Sequence, residues 1–252
     1  MNSQTHKIPR TLIAVPVYNE CRYVDQVLSE IHTYADNILV VDDGSTDGTA
    51  EALERHEYIV TIRHGKNLGY GQSLIDAFAF AAGNRFEWII TIDCDYQHQP
   101  GFIPHFYAEI QRDDADIISG SRYLRKFSVA TLLAPAERVA INARITGILN
   151  TALRLNLTDA FCGFKAYRTQ ALKKLPLTEK GYALALQLWI QAAKANLRIR
   201  EIPVPLIYHD PKRNFHGDLE DPDKRLAYYM ATIEEGLGRH VYSNTAESLG
   251  SR

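Results

Sequence analysis

The chain of 252 residues predicts an α/β protein whose mainly parallel sheet carries helices on both faces. Its first half alternates short apolar runs with helix-like segments, the rhythm of consecutive βα units. Several of those runs end in polar clusters, as strands of open α/β sheets do where their carboxyl ends meet a ligand crevice. An apolar content of 46% is enough for a sizeable core at this length.

In order, the runs and segments pair as Thr11 to Val17 with Tyr23 to Tyr34, Asn37 to Val41 with Thr46 to Arg55, and Tyr58 to Ile62 with Tyr70 to Ala82. Phe86 to Ile92 is the next strand, rich in the Trp, Ile and Thr that favour a buried extended chain. A helix over Gly101 to Arg112 and a short run from Ala115 to Ser119 complete this half. From about Ser121 the stretches lengthen: helices are expected over Pro135 to Leu155 and Gly181 to Ala195, with Phe161 to Tyr167 between them and Arg198 to Tyr208 extended. The expected organisation is one domain over 1–242, with a donor half of about 10–120, an acceptor half of about 121–242, and a polar tail over 243–252 that frays.

Bulk properties exclude several classes. A net charge of −2 supplies no global attraction to nucleic acid, so none is expected as a partner. The sequence has no run of roughly 18 apolar residues and no N-terminal signal pattern, so a cytoplasmic protein is expected. Cys21, Cys94 and Cys162 are scattered without a CxxC pair, which argues against a disulfide framework or structural zinc.

The chemistry centres on Asp93-Cys94-Asp95, directly after the run Trp88 to Ile92. Successive strand residues alternate faces, so Asp93 and Asp95 share a side and Cys94 turns away. Two hard oxygen donors so placed suit Mg²⁺ or Mn²⁺, which keeps waters and draws further ligands from a substrate's phosphates. Continuing the alternation brings the Gln97 amide oxygen to the same metal. Acidic triplets are also common on solvated turns; the preceding buried strand favours the metal reading.

Other clusters sit at comparable places. Pro16 and Tyr18 close the first strand, Tyr18 offering a flat ring to a nucleobase, while Asn19 or Glu20 bonds a base edge or caps the next helix. Asp42 and Asp43 precede the capping set Ser45, Thr46 and Asp47, and one of the pair is free to hold a base or ribose hydroxyl. Gly69 and Gly71 form a GxG where a sugar nucleotide meets bare backbone, or a purely structural turn. Arg122, just beyond a strand, suits a phosphate or an ordinary ion pair. Arg138 and Asn142, four apart on a helix, share a face that grips a phosphate or merely meets solvent. Asp159 is a candidate base. The segment from His209 to Gly217, with Lys212 and Arg213, is a basic aromatic loop able to close over a diphosphate.

Taken in order, VPVYNE, VVDDGSTDGT, KNLGYG, DCDYQHQP, GSRY, TDAFCGFKAY and the basic loop resemble the inverting family 2 glycosyltransferases of GT-A fold, over roughly residues 10 to 217. Within that family the motifs are most similar to the dolichol-phosphate mannosyltransferase-like subgroup. The resemblance implies that Pro16, Tyr18, Glu20 and Asp43 surround the donor nucleotide, that Asp93, Asp95 and Gln97 hold Mg²⁺ or Mn²⁺, and that Arg122 and Arg138 contact phosphates. It also likens the loop with Lys212 and Arg213 to a mobile donor cover. Cys94 stands where the subgroup often has Ala, and Gln187 where relatives often carry an acid.

The expected reaction moves a sugar, with inversion, from a nucleotide-diphosphate donor to a polyprenyl phosphate, with Asp95, Arg122, Arg138 and Asp159 at the chemical step. The alternative acceptor is a soluble hydroxyl compound or glycan, for which Asp159 would be the base. In the first case Arg138 and Asn142 face the head group and the helix over Ile141 to Leu155 rests peripherally on the inner face of the membrane. In the second that helix packs inward, so burial of Ile145, Leu149 and Leu153 discriminates. A non-catalytic sugar-nucleotide binding module is disfavoured by the intact acidic pair. A dehydrogenase is disfavoured because no glycine fingerprint follows the first strand.

Overall fold

A computed structural model describes residues 9–125, 135–207 and 217–238. Seven strands form one sheet: β1 (Thr11–Val17), β2 (Ile38–Asp42), β3 (Ile59–Arg63), β4 (Trp88–Thr91), β5 (Ile117–Ser121), β6 (Lys165–Arg168) and β7 (Ile199–Pro203). Their order across the sheet is β3-β2-β1-β4-β6-β5-β7. All neighbouring pairs are parallel except those made by β6, which runs antiparallel between β4 and β5. From β1 the chain proceeds toward β2 on one side while β4 lies on the other, so the carboxyl ends of β1 and β4 flank the switch point where such sheets bind ligands.

The helices are α1 (Val24–His32), α2 (Thr49–Leu53), α3 (Tyr70–Gly83), α4 (Ile103–Gln111), α5 (Ala136–Leu153), α6 (Thr169–Leu172), α7 (Leu184–Lys194) and α8 (Pro222–Leu237). Strand alternation divides the core into two layers. Ile13, Val15 and Val17 of β1 join Val24, Leu28 and Ile31 of α1 and Phe106 of α4 on one face. Leu12 and Ala14 join Leu74 and Phe78 of α3, Ile145 and Leu149 of α5, Trp189 of α7 and Ile233 of α8 on the other. The expected α/β fold with helices on both faces and a helical second half is therefore what the chain forms.

Two points were not foreseen. The antiparallel insertion of β6 follows from pairing that links distant segments, which local patterning does not encode. The helix α8 also went unread, although its start is marked: Asp221 accepts from the backbone of Asp223 and Lys224, with Pro222 at the first turn. It is locked to α5 by Arg225, which is 2% exposed and bonds Glu137 at 2.6 Å.

The helix α5 packs inward. Ile145 and Leu149 are fully buried, and the half-buried Leu153 packs on the same core. The apolar stripe expected to rest on a lipid surface is thus spent on α7 and α8. Among the described residues no helix is long and apolar enough to cross a membrane.

Candidate active site

The turn after β1 is tied to the turn after β2 before any ligand is considered. Asn19, at φ 57°, occupies the left-handed region that Asn tolerates. Its backbone donates to Ser45 Oγ at 2.9 Å and its side-chain oxygen accepts from Thr46 at 2.8 Å, while the Glu20 amide donates to Thr49 Oγ1 at 2.9 Å. Asn19 thus fastens two turns while also bordering the cavity described below. Asp42 is enclosed and accepts from the Ser45 backbone at 2.9 Å. Asp43 accepts from the backbones of Leu68 and Gly69 at 2.8 and 2.9 Å and from His64 Nδ1 at 2.7 Å.

His64 completes a clasp, its other nitrogen facing Asp76 at 2.9 Å. Burial alone would push its pKa down, but the two carboxylates outweigh this and hold it above the ordinary value. The imidazolium therefore closes the segment from 64 to 69 against β2.

The glycines of the GxG serve the protein's own backbone as well as the cavity. Gly69 has φ 109°, and a Cβ there would stand 2.3 Å from the Lys180 carbonyl oxygen. The Gln72 amide donates to that same oxygen at 3.1 Å. What the open backbone admits is the segment 179–181, held in turn by Gln187, whose Oε1 accepts from the backbones of Thr178 and Glu179. Gln187 is a loop brace.

Asp93 and Asp95 both line the cavity, while the Cys94 side chain is 2% exposed and packs in the core with Val15, Val17 and Ile92. The expected alternation matches the burial of Cys94, although β4 itself ends at Thr91 and Cys94 also borders the cavity. The alternation does not extend to Gln97: Tyr96 adopts φ 59°, and the chain turns with the Gln97 amide donating to Asp95 Oδ1 at 3.0 Å. Gln97 still reaches the cavity, through a turn rather than a strand. Asp93 is closely framed: Tyr70 donates to Oδ1 at 2.9 Å, His98 Nδ1 stands 3.4 Å from Oδ2, and Gly163 lies so near that a Cβ would sit 2.2 Å from Oδ2. Burial pushes the His98 pKa down to about 4.

Arg122, after β5, is held by Asp159 through two bonds, Nε at 2.6 Å and a terminal nitrogen at 2.9 Å. Asp159 is fully buried and also accepts from Asn142 at 2.8 Å and from the backbones of Arg122 and Phe161. Burial alone would raise its pKa, but the Arg122 charge and these donors hold it well below the carboxylate range. In this arrangement both carboxylate oxygens of Asp159 are engaged in holding Arg122, Asn142 and the local backbone. Asn142 is likewise enclosed, accepting from Thr146 at 2.9 Å, and does not present itself to a ligand as its pairing with Arg138 suggested.

These groups surround one cavity of about 660 Å³ at the carboxyl ends of β1, β2, β4 and β5. Pro16, Tyr18, Glu20, Asp43, Gly69, Asp93, Asp95, Gln97, Arg122 and Arg138 all line it. Lys212 and Arg213 lie outside the described residues, as does the whole basic loop from His209 to His216. Tyr182 and Lys165 were not singled out. Tyr182 stands in a loop without pattern. Lys165 does carry a signal, a lysine within the run Phe161 to Tyr167; it opens β6, is 3% exposed and donates to the Cys162 carbonyl.

The donor set fits a hard divalent ion: two carboxylates and an amide side chain line the same cavity as two arginines suited to phosphate. Among the described residues no three His, Cys, Asp or Glu side chains converge as an all-protein cage. An ion here would take its remaining ligands from water and a diphosphate.

The model of the family described as glycosyl transferase family 2 matches residues 12–176. The chain is 28% identical to an undecaprenyl-phosphate mannosyltransferase of Micrococcus luteus, over 79% of this chain and 84% of that protein. It is 26% identical to a polyprenol monophosphomannose synthase of Mycolicibacterium smegmatis, over 77% and 76% respectively. Its fold is similar to that of glucosyl-3-phosphoglycerate synthase from Mycobacterium tuberculosis in complex with uridine diphosphate, with a TM-score of 0.69, 19% identity, and coverage of 92% of this chain and 81% of that one. A family match spanning more than half the sequence, on a sheet that gathers the family's acidic and basic motifs around one cavity, makes this chain a glycosyltransferase of GT-A fold that belongs to glycosyl transferase family 2.

Proposed function

We propose that the enzyme transfers a sugar, with inversion and with Mg²⁺ or Mn²⁺, from a nucleotide-diphosphate donor to a polyprenyl phosphate. The observation that carries this reading is the meeting of Asp93, Asp95 and Gln97 with Arg122 and Arg138 around a single cavity. The names of the two mannosyltransferase relatives support the acceptor class. Structures of glucosyl-3-phosphoglycerate synthase containing Mn²⁺ or Mg²⁺ with uridine diphosphate support the donor class and the ion.

In this reading Tyr18 stacks on the base, and Glu20 and Asp43 border the nucleoside. Asp93, Asp95 and Gln97 would hold the ion, which when bound supplies neutralisation of the diphosphate charge. Arg122, immobilised by Asp159, and Arg138 face phosphate groups without having to reorganise as charge shifts. An acceptor phosphate oxygen forms a bond to the anomeric carbon on one face. The bond from that carbon to the donor phosphate breaks on the other, its electron pair leaving with the nucleoside diphosphate.

The buried pairing of Asp159 favours a phosphate acceptor over a hydroxyl. A hydroxyl needs a base, and the expected base is occupied; an ionised phosphate needs none. The inward packing of α5 favours the soluble alternative only in removing the lipid-resting helix, and a peripheral membrane contact would then have to be made elsewhere. The test is product analysis by mass spectrometry with Mn²⁺, a panel of UDP, GDP, dTDP and CDP sugars, and either a short-chain polyprenyl phosphate or a phosphorylated hydroxy acid. Sugar appearing on the polyprenyl phosphate supports the reading; sugar only on the hydroxyl compound sinks it. Equal turnover by Asp95→Ala would defeat the metal assignment.

A further inference from the structure

Three groups around the cavity carry no role in the mechanism above: Tyr70, Tyr182 and the loop from Thr178 to Tyr182. They are physically continuous with the framed carboxylate of Asp93. We infer that Tyr70 is a positioning residue that sets the Asp93 carboxylate for the divalent ion, and that Tyr182 makes this setting depend on the acceptor half. The inference rests on the proposed metal reading and adds to it Tyr70, which lies within the KNLGYG motif but carries no assigned role there, and Tyr182.

Tyr70 is the first residue of α3, and its hydroxyl donates to Asp93 Oδ1 at 2.9 Å. A donor to an ionised carboxylate makes a stronger bond than one to a neutral acceptor, and here it fixes the rotation of the group. The opposite oxygen has little room to swing, standing against the bare Gly163 backbone with His98 beside it. Asp93 therefore meets an ion in one orientation for as long as the Tyr70 hydroxyl stays in place.

That hydroxyl is itself held from the second half of the chain. The Tyr70 ring stacks on Tyr182 with centroids 5.5 Å apart and planes 17° from parallel, within the favoured range for aromatic pairs. The loop bearing Tyr182 is pinned to α8, because Glu179 Oε1 accepts from the Tyr228 hydroxyl at 2.7 Å and from the Gly181 backbone at 2.7 Å. The Ala183 amide also donates to the Tyr228 oxygen at 3.3 Å. An unbroken run of bonds and stacked rings thus connects α8 with Asp93. A shift of α8 or of the 178–182 loop would be felt at the ion before any side chain at the chemical step moved.

The test is calorimetric titration of Mn²⁺ into the full-length protein, comparing wild type with Tyr70→Phe and Tyr182→Leu, with metal-free melting of each as the fold control. Tyr70→Phe keeps the ring and the stack and removes one oxygen. Outer-shell partners of metal ligands typically contribute 10- to 100-fold in affinity, so its Kd for Mn²⁺ should rise about tenfold or more at an unchanged metal-free melting temperature. Tyr182→Leu leaves the hydroxyl but frees the ring, and its Kd should also rise. Wild-type affinity in Tyr70→Phe overturns the positioning role, and wild-type affinity in Tyr182→Leu overturns the link to the acceptor half. If Tyr70→Phe melts early, the Tyr182→Leu titration decides. A wild-type chain that takes up no Mn²⁺, either alone or with UDP or GDP present, overturns the metal reading itself, a failure distinguishable from the other two because it precedes any substitution.

Discussion

Replacing Asp159 by Asn separates bracing from base catalysis. The native carboxylate accepts five bonds, three from Arg122 and one each from Asn142 and Phe161. The amide keeps one oxygen but sets an N–H₂ against donors and removes the countercharge of a guanidinium whose side chain is 12% exposed. Losing one partner of a buried pair costs about 3–5 kcal/mol, and the retained oxygen points to the lower end, about 3 kcal/mol. For a chain of this size that lowers Tm by about 6–12 °C. The sign with pH follows from the depressed carboxyl pKa. The native contribution is present above the unfolded value of about 3.9 and is lost as pH falls through the folded one. The gap in Tm between wild type and Asp159→Asn, measured by calorimetry, should therefore be widest near neutrality and narrow below about pH 4. Kinetically, a loosened Arg122 should raise KM for whichever substrate phosphate it meets as well as lowering kcat. A variant that melts within 1 °C or so of wild type yet loses all turnover would refute the bracing argument and restore Asp159 as a base.

Other perturbations test neighbouring parts of the same geometry. Gly163→Ala would drive a Cβ to within 2.2 Å of Asp93 Oδ2, so the carboxylate must move; the Kd for Mn²⁺, read by calorimetric titration, should rise about tenfold or more. His64 has a raised pKa, so its stabilising contribution is complete below the unfolded value of about 6.5 and is lost as pH rises through the folded value. The Tm of wild type should therefore fall relative to His64→Gln as pH climbs above about 6.5, and an equal pH dependence in both would count against the clasp. Trp189→Phe removes the indole bond to the Ala160 carbonyl at 2.8 Å; the orphaned buried acceptor should cost about 1–3 kcal/mol in urea unfolding, with little change in Mn²⁺ affinity.

The donor half was legible because its signals are local. Strands β1 to β4 announce themselves by β-branched runs, and their carboxyl ends by a change to polar residues, so Tyr18, Asp43 and Asp93 could be placed near one another from topology alone. The burial of Cys94 between Asp93 and Asp95 agrees with the two-residue period of a strand, although β4 itself ends at Thr91 and Cys94 also borders the cavity. That rule failed one step later. The left-handed Tyr96 turns the chain, and no residue type at that position signals the turn in advance. The second half was less legible for a topological reason. The strand β6 pairs antiparallel with β4 and β5, bringing together segments more than forty residues apart, and nothing within the Phe161 to Tyr167 run distinguishes that direction from a parallel one.

The same distinction separates the site residues whose identity could be read from those whose role could not. Arg122 and Asp159 each look like a lone functional charge in the sequence, one a phosphate ligand and the other a base. Once folded, the two are a single unit: thirty-seven positions apart, they share two side-chain bonds, and the pair leaves the arginine oriented and the aspartate occupied. Asp43 shows the reverse case, a residue flagged for ligand contact that first orders the backbone from 64 to 69 and only then borders the cavity. A charge read from sequence has an identity but no partner, and in a buried site the partner decides whether it binds, positions or titrates. The proposed acceptor rests on the same reasoning: with Asp159 engaged by Arg122, a nucleophile that arrives already ionised asks nothing of that carboxylate, and this is what favours the proposed phosphate acceptor over a hydroxyl.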